Sequence, residues 1–201
     1  MSKGLLVKGA LAVTAACAVA PSIVQAQETS PGYSFLEAVK KRDATKVSDL
    51  ISSPGTLVNA KESRTGNSAL HFVSQDRDLT WLSFLLGKGA RPDTQNNRGE
   101  TALGIASQLG WAEGVELLLR VGAKVDLANS SGETPLILAV QRRQLPVVRL
   151  LLSHGADPRR TDTVAGYSAL DYAKQDNRSA AIVRMLETPP AKLRETAGPK
   201  L

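Results

Sequence analysis

The sequence predicts an all-α solenoid of stacked helix–turn–helix units joined by short hairpin loops, about five units with degenerate caps at both ends. Three observations carry this. Glycine recurs at Gly66, Gly99, Gly132 and Gly166, with spacings of 33, 33 and 34 residues. Four places after each glycine comes a leucine: Leu70, Leu103, Leu136 and Leu170. Three of the units close on a leucine run and a Gly-Ala pair, namely Leu85-Leu86 with Gly89-Ala90, Leu117–Leu119 with Gly122-Ala123, and Leu150–Leu152 with Gly155-Ala156. A repeat near this length marks an array in which each unit buries its apolar face on the next.

Composition agrees. The 201 residues are 42% hydrophobic but only 4% aromatic, so the core must be built of Leu, Val, Ile and Ala. Residues 1–26 read as a secretory signal peptide: Lys3 and Lys8 give a basic start, residues 9–20 are apolar or small, and Val24-Gln25-Ala26 suits cleavage after Ala26. The apolar run is shorter than the roughly 20 residues of a membrane span. An alternative use of this segment is lipidation at Cys17, although Thr14 stands where lipoproteins usually carry Leu. Cleavage would lower the net charge from +6 to +4, because two lysines and no acids are lost. It would also remove Cys17, the single cysteine, so stability must come from packing and not from disulfides.

Residues 27–32 are expected to be a short linker and 33–188 the repeat domain. Within a unit, Thr101 to Gln108 places small and apolar residues at helical spacing. Trp111 to Arg120 does the same, with Val115, Leu118 and Leu119 on one face. Gly110 supplies the turn between them, and Gly122 can end the second helix in the left-handed conformation. Thr134-Pro135 is a helix start, the hydroxyl capping free N–H groups and the proline fitting the first turn. Ser68, Thr101 and Ser168 fall at the same place. Gly104, inside a helix, costs roughly 1 kcal/mol relative to Ala and predicts a softer third unit. Residues 189–201, polar and proline-bearing, are expected to be disordered.

This pattern resembles the ankyrin repeat over residues 33–188. The units are Ser63–Gln95, Asn96–Ala128, Asn129–Thr161 and a fifth beginning GYSALDYA, which lacks a closing Gly-Ala. Residues 33–62 fit a degenerate first unit. The family's Thr-Pro-Leu-His is complete nowhere, with Pro135 and His71 each occurring once in that frame. The resemblance implies a structural role for His71, whose ring would bond neighbouring backbone or hydroxyls. His154 falls at the end of a second helix, where a polar or cationic side chain suits the dipole.

No enzyme chemistry is legible. The segment after residue 26 has no cysteine and two histidines that form no metal-ligand spacing, so no metal or other cofactor is expected. Glu100 and Glu133 would come near one another in successive turns, but stacking brings any two equivalent positions together. The basic groups Lys40-Lys41-Arg42, Arg142-Arg143 and Arg159-Arg160 read as solvated edges and not as a nucleic-acid face. The sequons at Asn129 and Asn177 would matter only in a eukaryotic secretory pathway.

The resemblance implies a protein-binding, non-enzymatic module, with the hairpin tips and first helices forming a concave surface. Carried onto this chain, that surface predicts a site of Arg64, Asn67, Arg98, Glu100, Leu109, Trp111, Glu133, Arg142, His154 and Tyr167. Leu109, Trp111 and Tyr167 are apolar for their places, as binding hot spots are. Trp81 is expected in the core. The expected setting is the periplasm, with a protein partner, no nucleic acid and a monomeric chain. Two alternatives are an accessory role in periplasmic stress or peroxide defence, and an inhibitor or immunity protein that blocks a toxin or enzyme.

Overall fold

The computed structural model describes residues 30–52, 57–176 and 179–188; the signal peptide expected at 1–26 and the disordered tail expected at 189–201 lie outside them. The described residues form helical hairpins in chain order. They are α1 (Pro31–Lys40) with α2 (Ala44–Ser52), α3 (Ala69–Gln75) with α4 (Leu79–Gly87), and α5 (Ala102–Gln108) with α6 (Ala112–Arg120). Then come α7 (Pro135–Gln141) with α8 (Leu145–Ser153), and α9 (Ala169–Gln175) with α10 (Ala180–Glu187). A 3-10 turn at Leu57–Asn59 closes the first unit. Helices this short are marginal alone in water, so packing must hold them.

That packing follows the repeat. The first helices of successive units lean on one another from α1 to α9, and the second helices do so from α4 to α10. The register leucines meet in the middle: Leu70, Leu103 and Leu136 are at most 2% exposed, and Leu85, Leu118 and Leu151 are wholly buried. Each such leucine contributes about 1.5–3 kcal/mol by leaving water. Leu170, its counterpart in the fifth unit, is only partly buried, since the stack continues no further on that side among the described residues.

The helix starts are capped as the sequence leads one to expect. The Thr101 hydroxyl accepts from the Gly104 amide at 3.1 Å, and the Thr134 hydroxyl from the Ile137 amide at 3.3 Å. The Ser168 hydroxyl accepts from the Asp171 amide, while the Asp171 carboxylate accepts from both the Ser168 amide and hydroxyl. In the first unit, the Ser30 hydroxyl accepts from the Tyr33 amide at 3.1 Å, and Pro31 begins the helix. The repeat domain therefore starts inside the expected 27–32 linker, because Ser30-Pro31 is a cap and first turn of the same kind as Thr134-Pro135.

In the first four hairpins the turn between paired helices holds one left-handed residue, and in three of them it is an arginine: Arg42, Arg77 and Arg143, with φ of 59°, 53° and 55°. Non-glycine residues rarely adopt this conformation. Here each side chain reaches the turn of the next unit. Arg42 pairs with Asp76 and Asp78, both at 2.8 Å, and its guanidinium lies 5.6 Å from the Trp81 ring. Arg77 donates to the Leu109 carbonyl, and Arg143 pairs with Asp176. Lys40 bridges Glu37 and Glu62 at 3.3 and 3.0 Å. The expectation of solvated edges is thus corrected at Arg42 and Arg143, which join units by ion pairs, and at Lys40, which is paired within the first unit and lies 4.5 Å from the Phe72 ring of the second. Trp81 is corrected too: it is half-buried at the edge of the core, edge-on to Phe84 at 5.3 Å.

Candidate functional site

Successive hairpin tips are joined by main-chain bonds and by the side chains of Lys61, Gln95, Asn96 and Asn97. Asn97, Ser130 and Thr163 each donate an amide hydrogen to the preceding tip, to the carbonyls of Thr65, Arg98 and Ser131, at 3.0, 2.9 and 2.9 Å. The tip glycines make this approach possible. A Cβ at Gly66, Gly99 or Gly132 would lie 2.7, 2.6 or 2.6 Å from the amide nitrogen of the next tip, closer than real Cβ atoms come. Inside each tip an acceptor side chain gathers the turn amides. Asn96 Oδ1 accepts from Arg98 and Glu100, and Asn129 Oδ1 from Ser131 and Glu133. Asp162 takes this place in the fifth tip, accepting from the Val164, Ala165 and Gly166 amides and from the Tyr172 hydroxyl. Burial alone would raise the Asp162 carboxyl, but these donors outweigh it and hold it below its usual range.

The ten predicted site residues separate on this framework. Arg64, Arg98, Arg142 and Tyr167 are exposed along the tips and first-helix ends. Glu100 and Glu133 are part-buried and engaged within their own tips: Glu100 accepts from Asn96 at 2.7 Å and pairs with Arg98 at 2.8 Å, and Glu133 accepts from Asn129 at 2.8 Å and Gln141 at 3.1 Å. They are tip struts, not a facing acid and base. Leu109 is part-buried, with its carbonyl held by Arg77. His154 caps α8, its Nδ1–H donating to the Leu150 carbonyl at 2.9 Å.

Two predicted residues do not belong on a binding surface. Asn67 is buried, its Oδ1 accepting from Asn96 Nδ2 at 2.8 Å. Trp111 is 7% exposed and part of the core. Its indole lies flat over Gly114, three residues on, where a Cβ would overlap the ring. The helical glycine at i+3 was the sequence signal for this fold-back. The structure also brings forward Tyr172, which Tyr167 meets edge-on at 5.6 Å; together they make an aromatic corner at the fifth tip.

His71 is wholly buried. Its Nε2–H donates to the Glu100 carbonyl of the next unit at 2.8 Å, so Nδ1 is the acceptor, taking the Ser68 amide at 3.1 Å and the Ser68 hydroxyl at 2.8 Å. Burial pushes its pKa down, against the pull of the Glu100 carbonyl. Among the described residues, no group of three or more His, Cys, Asp or Glu is placed to hold a metal ion. No helix among them is long and apolar enough to cross a membrane.

A family model described as ankyrin repeats (3 copies) matches at residues 35–129, 70–162 and 112–193, most of the chain. The chain belongs to the ankyrin-repeat family. Ankyrin repeats generally mediate protein–protein interaction, and the family is typically a non-enzymatic interaction module. In this ankyrin-repeat chain the row of tips with the adjoining first-helix ends carries the exposed Arg64, Arg98, Arg142 and Tyr167.

Proposed function

We propose that this chain binds another protein through the face made by its hairpin tips and first helices, with the partner in the periplasm. The observation that supports this most is the division of labour in the tips. Main-chain bonds and the Asn96, Asn129 and Asp162 acceptors hold the tips together, while Arg64, Arg98, Arg142 and Tyr167 stand exposed. A surface fixed before contact loses little entropy on binding, and Arg and Tyr dominate binding energy where they become buried. The basic start and apolar run of residues 1–26 support export.

The test is capture of partners from a periplasmic fraction, followed by titration of the purified partner against variants. Tyr167→Ala and Arg142→Ala should each weaken binding about tenfold or more, roughly 1.4 kcal/mol, with unchanged melting temperature. A partner that binds both variants as tightly as the original chain refutes this face as the site.

A further inference from the structure

The row of tips is a ladder with one end open. Its acceptors are the carbonyls of Thr65, Arg98 and Ser131, each one residue before a tip glycine. By that register Ala165, before Gly166, is the next acceptor, yet no hydrogen bond to its carbonyl is made among the described residues. Gly166 keeps the same left-handed backbone as its counterparts, with φ of 70°. A Cβ there would meet nothing within 4 Å among the described residues, whereas in the other tips it would strike the neighbouring strand. Among the described residues, the fifth tip leaves open the place that a following tip fills in the other units.

The edge is also pre-set. Asp162 draws the Val164, Ala165 and Gly166 amides inward at 2.8, 2.6 and 3.3 Å, which leaves the outer side of the tip to carbonyls. Val164, 80% exposed, and Tyr167, 41% exposed, flank it. Beneath the tip a cleft of about 400 Å³ opens beside Pro158, Leu170 and Leu186, with Arg159, Asp171 and Glu187 at its margins. Asp171 is engaged by Ser168, and Glu187 pairs with Lys174 at 3.2 Å. Arg159 is exposed and makes no ion pair among the described residues.

We infer that the open tip takes up an extended segment of another protein by main-chain addition. One backbone N–H of the segment donates to the Ala165 carbonyl, an apolar side chain enters the Leu170–Leu186 cleft, and a carboxylate faces Arg159. Addition to an exposed edge draws affinity from the backbone and selectivity from the pockets beside it. A second copy of this chain does not fit the place. Its matching donor is the Arg64 amide in the second tip, but α1 already packs on α3, on the side where the other copy's fifth unit would have to stack. The site lies at the end of the ladder and shares Tyr167 with the tip-and-helix face proposed above, whereas Arg142 belongs to that face alone and tells the two apart.

The experiment selects random phage-displayed dodecapeptides on the full chain after depletion on the Gly166→Ala variant, whose added methyl stands where the incoming strand would run. Selected peptides should carry an apolar residue near an acid. They should lose tenfold or more in affinity on Gly166→Ala and again on Arg159→Glu, while Arg142→Ala leaves binding unchanged. N-methylation at a single peptide position should abolish binding. Arg159→Glu and the N-methyl scan decide the matter even if Gly166→Ala disturbs the tip. The inference fails if no peptide survives depletion, or if every N-methylated peptide still binds. It also fails if a chain ending at Thr188 binds the peptides tenfold more tightly than the full chain, which would make residues 189–201 the occupant. Self-association of the chain that Gly166→Ala abolishes would likewise overturn it in favour of a second copy.

Discussion

Gly104 and Gly114 sit in the two helices of one unit, and a methyl group should act in opposite directions at the two. At Gly104 a Cβ would meet Leu138 Cδ1 and Thr101 Oγ1 at 3.5 Å, which is ordinary contact. Gly104→Ala should therefore stabilise by about 1 kcal/mol through helix propensity, read as a higher urea midpoint. At Gly114 the same methyl would overlap the Trp111 ring, so Gly114→Ala should destabilise by about 1–3 kcal/mol. Trp111→Ala should cost about 3–5 kcal/mol by leaving a cavity. Retention of the original melting temperature by Trp111→Ala would place the indole outside the core. His71 gives the acid limit. Its folded pKa is pushed below the ordinary value, so its contribution is complete above about pH 6.5 and is lost as pH falls from there toward the lowered value. Unfolding free energy measured between about pH 7.5 and about pH 5 should fall less in His71→Asn than in the original chain. The leucine register was legible because burial follows spacing. Trp111 was misplaced because spacing locates a ring's root and not the direction in which the ring folds.

At the scale of the element, the turns between paired helices turned out to be joints. A basic doublet in the sequence says nothing of φ, and only a left-handed arginine projects across to the next turn as Arg42 does. Removal of Arg42 breaks two ion pairs that are about three-quarters shielded on the arginine side, its side chain being 25% exposed. Arg42→Ala should cost about 1 kcal/mol, and the difference should shrink as salt is raised; chemical denaturation at low and high ionic strength measures both. The helix caps were readable from the Ser and Thr positions, because a hydroxyl before an apolar helix has one obvious use. Ser30-Pro31 carries the same chemistry, but its acidic, polar flank at Gln27–Thr29 masked it as linker.

For the whole molecule, stability is a sum of units and the interfaces between them, and the tip ladder isolates one such interface. Gly132 and Gly166 share a left-handed backbone, with φ of 76° and 70°, and differ in whether another tip follows. Gly166→Ala should cost about 1–2 kcal/mol for conformation alone. Gly132→Ala must in addition displace Thr163, and its larger loss in thermal unfolding measures what the fourth and fifth tips gain by touching. Equal losses would mean that the tips are not energetically coupled. The period of the chain made the ladder's pitch legible. Its open end was not, because an unmet carbonyl leaves no mark on a sequence.

The main-chain rail that ties one tip to the next runs through amides, carbonyls and glycines, so the exposed side chains of Arg64 and Arg98 are passengers on it. Replacing both at once should leave the spacing of the units untouched and, on the function proposed above, should alter partner binding.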